Sequence, residues 1–342
     1  MIYCSKIHPT VKMRVFILAS CLIVAVSASS QLEQDAALFQ SFKLEHGKTY
    51  NNHVEESARF AIFRENLRTI QSHNARFDQG LESYTQGINQ FADMTPAEFK
   101  AMLALQLSTK PAFNSNKKID LPVGNTIIPD SFDWREKNVI NPVQDQGTCG
   151  ACWAFTLVGA TEAAYAIKTG NLSKYSEQQL VDCTGDFGNL GCQGGYLTDT
   201  FSYIEAYGLQ YESDYPYEGA NSTCQYNSSK IATHIESYVY FSGSEDALKV
   251  SVATDGPVAV AIDGDYIQFY ASGIYDDTTC NPNKLDHAVL AVGYGIENGT
   301  DYWILKNSWG SSWGESGYIR FLRGVNQCGI IAENTFPRIA SV

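Results

Sequence analysis

The 342-residue chain is 44% hydrophobic and 18% charged, with a formal net charge of -13. That composition excludes a disordered chain and leaves room for two or three domains. The acid excess lies after residue 127; it excludes a nucleic-acid surface there and is compatible with an acidic compartment, where the net charge falls.

From the N-terminus, Lys12 and Arg14 precede an apolar run from Val15 to Val26, and Val26-Ser27-Ala28 offers small residues for cleavage. The run is short for a bilayer span, so a secretory signal over 1–28 is predicted, with Met13 an alternative start and no membrane anchor. Over 33–76, Leu38, Phe39 and Phe42, then Phe60, Phe63, Leu67 and Ile70, recur at helical spacing. Residues 81–93 (Tyr84, Gly87, Ile88, Asn89, Phe91) predict an extended stretch with a turn. Thr95-Pro96-Ala97-Glu98 reads as a helix start, with Thr95 capping and Pro96 at the first helical position. Residues 108–127 have the polar, proline-containing composition of a linker.

Beyond the linker, helices are predicted over 152–169, ended by Gly170, from Ser176 onward, and over 198–207. Strands dominate after about residue 235, at 258–262, 288–292, 302–305 and 318–321. Helices first and strands later predict an α+β fold with two lobes and a site between them.

Of nine cysteines, Cys4 and Cys21 fall in the signal, leaving Cys149, Cys152, Cys183, Cys192, Cys224, Cys280 and Cys328. A secreted chain favours disulfides, and an odd count leaves one thiol over; six cysteines still allow 15 pairings. Sequons at Asn171, Asn221, Asn227 and Asn298 are glycosylation candidates on a secretory route.

Residues 146–153, Gln-Gly-Thr-Cys-Gly-Ala-Cys-Trp, place Cys152 at a helix N-terminus, where the helix dipole favours a thiolate. A cysteine nucleophile needs a base, and only two histidines follow residue 128. His234 sits in a polar stretch, whereas His287 opens an apolar strand. An imidazole needs an orienting group, and Lys306-Asn307-Ser308-Trp309 supplies an amide and a shielding ring. Cys149 and Cys152 also have the spacing of a redox pair, which would bond them to each other. An inactive binder is a further alternative, and a zinc site is the weakest, for want of paired ligand spacing.

On Cys149-Gly150-Ala151-Cys152-Trp153, His287 and Asn307-Ser308-Trp309-Gly310, residues 128–342 resemble the papain family of cysteine proteases. The whole chain resembles a cathepsin L-type precursor: Glu55, Arg59, Phe63, Asn66, Ile70 and Asn74, with Gly87, Asn89, Phe91 and Asp93, are similar to that family's two prosegment motifs. The resemblance implies a two-lobed papain-like fold, with a helical left lobe and a β-barrel-like right lobe. It further implies an inhibitory propeptide over 29–127, lying through the cleft in reverse to a substrate, and a mature peptidase over 128–342.

The resemblance makes Cys152 the nucleophile, His287 its base and then acid, and Asn307 the orienting group. Gln146 and the Cys152 N–H become the oxyanion hole, and a Cys152 thiolate with a His287 imidazolium the resting form. It implies the bridges 149–192, 183–224 and 280–328. Substrate backbone is expected at Gly194, Gly195 and the Asp286 carbonyl, with Trp309 and Trp313 lining the cleft. The pocket for the second residue before the scissile bond is expected at Tyr196, Leu197, Ala261, Leu285, Ala288 and Glu333. Glu333 stands where cathepsin L-type enzymes have a small residue, so arginine acceptance, fading at low pH, is expected. Only His234 is left over, so the paired-histidine loop of carboxydipeptidases is missing and an endopeptidase is expected. Protonation of Asp93 is expected to release the prosegment at acid pH, with cleavage near 125–128. The resemblance implies protein and peptide substrates, cystatin-type inhibitors, a monomer, a lysosomal or digestive location, and neither cofactor nor metal.

Overall fold

In the computed structural model, residues 31–105 and 128–340 are described, so the signal, the linker and most of the cleavage stretch lie outside it. Two compact units divide at Arg68 and Thr69, within one helix. In the first, α1 (31–45) and α2 (His53–Phe77) bury Phe39, Phe42, Phe63 and Leu67 as the apolar spacing predicts, whereas Leu38, expected on the same stripe, is exposed. Asn52 starts α2 by accepting the N–H groups of Val54 and Glu55 at 2.9 and 3.0 Å. The fully buried Asp35 is satisfied by Arg64 at 3.0 Å and by Arg68.

The second unit begins with β1 (Tyr84–Gln86) and α3 (Pro96–Ala101). Thr95 and Glu98 close a reciprocal cap on α3, Glu98 N–H to Thr95 Oγ1 at 3.2 Å and Thr95 N–H to Glu98 Oε2 at 2.8 Å. Next come β2 (Phe132–Asp133), α4 (Cys152–Thr169), α5 (Glu177–Cys183), α6 (Leu197–Tyr207), β3 (Leu209–Gln210), β4 (Ile231–Thr233) and β5 (Ser237–Phe241). The remainder is α7 (Glu245–Thr254), β6 (Val258–Ile262), β7 (Tyr270–Tyr275), β8 (His287–Glu297), β9 (Thr300–Lys306), β10 (Tyr318–Leu322) and β11 (Asn334–Arg338).

Helix α4 is apolar almost all round and is therefore a core helix, packed on β8, β11 and β6. Gly170 ends it with φ 77°, and Ser176 starts α5 by accepting the Gln179 N–H at 3.0 Å. One apolar core lies between α4, α5, α6 and one face of β6 and β8; another lies on the opposite face of the sheet, around Trp303, Trp309 and Trp313.

The sheet runs β1-β7-β10-β9-β8-β6-β11-β5, with β2 beside β8. It is open, which corrects the barrel-like expectation: its terminal strands β1 and β5 do not pair with each other. One edge is instead covered by β1, antiparallel to β7. This pairing explains why residues 69–105 group with the later chain and not with 31–68. Helix α7 and strands β7 and β11 lay beyond the periodicity reading, because each is short and mixed in composition.

Candidate active site

Cys152 is the first residue of α4, so its backbone N–H has no acceptor within the helix. Its thiol is completely buried, with the N–H groups of Ala288, Ala104 and Trp153 around the sulfur. Ala288 follows His287 at the start of β8, so helix and sheet bring thiol and imidazole together. Cys149–Cys192, Cys183–Cys224 and Cys280–Cys328 are bonded, and among the described residues Cys152 is the free cysteine. A redox bridge between Cys149 and Cys152 is thereby overturned.

His287 Nε2 lies 2.8 Å from Asn307 Oδ1, which also accepts the Ser308 N–H at 2.8 Å. A backbone N–H can only donate, so this contact fixes which end of the amide is oxygen. The imidazole proton therefore sits on Nε2, and Nδ1 is a buried atom without a hydrogen-bond partner. The Trp309 ring stacks on the imidazole with centroids 4.6 Å apart, keeping water from the Asn307 contact. Gln146, also buried, donates from Nε2 to the Cys149 carbonyl at 3.0 Å, and its Oε1 accepts from Ser308 Oγ at 2.7 Å. One Nε2–H of Gln146 is thus held beside the start of α4, with its second proton available.

Residues Met102–Leu105 fill this groove. Leu105 pairs in parallel with Gly195 and donates its N–H to the Asp286 carbonyl at 3.0 Å. Its side chain joins an apolar cluster with Leu197, Ala261, Leu285 and Ala288. Upstream, Phe91 and Phe99 pack edge-on against Trp309, and Gln90 Nε2 donates to the Trp309 carbonyl at 2.5 Å. Trp309 in turn packs on Trp313, whose Nε1–H donates to Gln268 O at 3.2 Å. Burial under this segment pushes the Cys152 thiol up to about 11, and burial likewise pushes His287 down to about 4 despite its bond to Asn307. Both shifts disfavour charge on the thiol and the imidazole while residues 102–105 cover them.

Glu333 is 4% exposed, with Oε1 unpartnered. Burial raises its pKa to about 7, and the Asp199 charge adds to the effect. It does not turn out to solvent, and its carbonyl accepts the Ala261 N–H at 3.1 Å beside the expected pocket. Tyr196, after Gly195 at the start of α6, donates its N–H to Asn189 Oδ1 at 2.8 Å. Asn189, which the sequence reading missed, also donates to Thr184 and Thr200 and so pins the Gly194–Tyr196 turn. A second missed group is the buried ionic cluster behind Asn307, where Lys174 pairs with Glu162 at 3.2 Å and with Glu177. Acidic residues inside apolar helical sequence, such as Glu162, were the available signal.

All four sequons lie on exposed residues. Asn171 follows the end of α4 and Asn298 occupies a left-handed turn, whereas Asn221 and Asn227 accept backbone N–H groups of Cys192 and Ser229. Asp93 is buried, at 4% exposure. Among the described residues, no helix is long and apolar enough to cross a membrane.

Residues 128–338 match the papain family cysteine protease domain, and residues 39–99 match the cathepsin propeptide inhibitor domain. The chain is 41% identical to a cathepsin L-like proteinase of Phaedon cochleariae, over 96% of this chain and all of the relative. It is also 41% identical to cathepsin L of Sarcophaga peregrina, with the same coverage. Among solved structures, digestive procathepsin L2 proteinase from Tenebrio molitor larval midgut is similar with a TM-score of 0.84 and 43% identity, over 89% of this chain and all of that one.

Proposed function

Because the chain belongs to the papain family of cysteine proteases, as a cathepsin L-type precursor with its propeptide inhibitor domain, we propose that Cys152, His287 and Asn307 hydrolyse internal peptide bonds once residues 102–105 leave the groove. The observation that carries this reading is the free thiol of Cys152 against the backbone of Ala288, the residue after a His287 whose ring is fixed by Asn307 and whose Nδ1 has no hydrogen-bond partner.

Removal of the prosegment readmits water to both groups. The thiol pKa then falls and the imidazole pKa rises, towards a thiolate–imidazolium pair at the start of α4. The thiolate attacks the scissile carbonyl carbon. The resulting oxyanion accepts from the Cys152 N–H and the second Gln146 Nε2–H. His287 gives its Nδ1 proton to the leaving amine, and a thioester remains. Water then loses a proton to His287 and attacks the thioester; collapse releases the carboxylic acid and restores the pair. Asn307 keeps the Nε2 proton in place throughout.

The parallel pairing of Leu105 with Gly195 supports a reversed prosegment: a substrate pairing antiparallel there would present its carbonyl to the thiolate, and the prosegment does not. The cluster around Leu105 favours leucine, valine or phenylalanine as the second residue before the scissile bond. The buried carboxyl of Glu333 adds arginine at the same place. Activation at acid pH and a lysosomal or digestive destination complete the reading.

The test is labelling with an epoxide or vinyl sulfone thiol probe, with N-terminal sequencing of acid-activated protein. Stoichiometric labelling of Cys152 and loss of cleavage in Cys152→Ser are expected. Peptide cleavage surviving that substitution, or Cys152 found in a disulfide, would overturn the reading.

A further inference from the structure

Three carboxylates beside the groove take no part in the chemistry above. Asp263, Asp265 and Asp286 bring ligand oxygens within 4.8 Å of one another. Asp263 is spent on the fold, its oxygens accepting the N–H groups of Asp265 at 3.2 Å and Asn281 at 2.6 Å. Asp286 uses Oδ1 to accept the Gly264 N–H at 2.9 Å. What remains are Asp265 Oδ1 and Asp286 Oδ2, buried atoms on two carboxyl groups close enough to share a proton.

The cluster is occupied by a cation that does not belong to the mature enzyme. Lys100, in the last turn of α3, places its ammonium 2.5 Å from Asp265 Oδ2 and 3.9 Å from Asp286 Oδ2. Lys284, which stays with the enzyme, pairs with Asp265 at 2.6 Å from the other loop. When the prosegment leaves, three carboxylates face one lysine, with His287 the nearest further titratable group on β8.

The order along the groove gives the cluster its place. Leu105 lies at Gly195, Ala104 at the Cys152 sulfur, and Leu103 beside Gly264 and His287. Lys100 is one turn further back, on the opposite side of Cys152 from Gly195 and next to the residue preceding His287. If Gly195 holds the residues before the scissile bond, Asp265 and Asp286 face the residues after it.

We propose that Asp265, with Asp286 beside it, forms a cation-accepting subsite on the leaving-group side of the scissile bond, filled by Lys100 in the precursor and by a substrate lysine or arginine in the mature enzyme. The proposal rests on the protease reading and adds a charge preference to it. The occupant seen is an ammonium, which suits two carboxylate oxygens at the groove's rim; a basic side chain on the first or second leaving-group residue brings the same chemistry. Burial raises Asp286 to about 7. Burial also works against ionisation at Asp265, yet the bonds from Lys100 and Lys284 hold it below the usual carboxylate range. With Lys100 gone, Lys284 still favours the ionised form of Asp265, whereas burial disfavours that of Asp286.

The test uses the enzyme obtained by acid activation of the full chain, and internally quenched peptides sharing one acyl half. Lysine, arginine or norleucine is placed at the first and at the second position after the scissile bond. A basic residue at one of these positions should raise kcat/KM by about fivefold over norleucine. That preference should vanish in Asp265→Asn and turn towards glutamate in Asp265→Lys, while cleavage of the norleucine peptide stays intact and so reports folding. No basic preference in the wild type, or one that survives both substitutions, overturns the subsite. Failure to cleave any peptide would instead overturn the protease reading.

Discussion

Glu333 carries the prediction most directly worked from the structure. Its carboxyl, ordinarily near 4.5, is raised to about 7 by burial with the Leu105 cluster nearby. An arginine entering the pocket needs the ionised form, so below the midpoint each pH unit costs about 1.4 kcal/mol, or tenfold. Prosegment removal exposes the pocket and lowers the midpoint, leaving it between 4.5 and about 7. Below it, the ratio of kcat/KM for Arg-Arg over Phe-Arg reporter peptides should climb by about tenfold per unit and then level off. In Glu333→Gln the ratio should be flat with pH, with the Arg-Arg rate down by about 10- to 100-fold above the midpoint, as for loss of a charge-assisted hydrogen bond. Linkage gives a second readout. With the folded pKa raised, stabilisation by the bound proton is full below pH 4.5 and lost as pH rises through about 7. The 2.5-unit difference corresponds to about 3 kcal/mol. Denaturant titration of the precursor should therefore show the glutamine variant gaining on the wild type across that window. A pH-independent peptide ratio in the wild type, or an unchanged one in the variant, refutes the reasoning.

Replacing Asn307 by alanine strands a buried Nε2–H on His287, so kcat should fall by about 10- to 100-fold with little change in KM. A Cβ on Gly195 would lie 2.5 Å from the Trp153 ring and 2.8 Å from Asn189 Oδ1. Gly195→Ala should accordingly lower Tm and raise KM together, and an unchanged melting curve would contradict the packing. Lys100→Ala removes a half-exposed ion pair between prosegment and enzyme, worth about 0.5–1 kcal/mol after solvent screening. Autoprocessing at a fixed acid pH should then run about two- to fivefold faster, as measured by the rate of appearance of the mature band.

Local physics made much of this protein legible in its sequence. The Thr95–Glu98 cap, the Gly170 stop and the apolar helix from Cys152 depend on neighbours within one or two turns, so spacing alone revealed them. The odd cysteine count announced a spare thiol, and the scarcity of histidines pointed to His287. Packing decided the rest. Which cysteines pair, whether a glutamate faces a core or water, and the meeting of Lys100 with an aspartate 165 residues away depend on how β1, β7, β8 and α3 come together. The burial that disfavours charge on Cys152 and His287 is of the same kind. Ionisation is set by the water a group retains, and residues 102–105 remove that water only once the chain has folded back on itself.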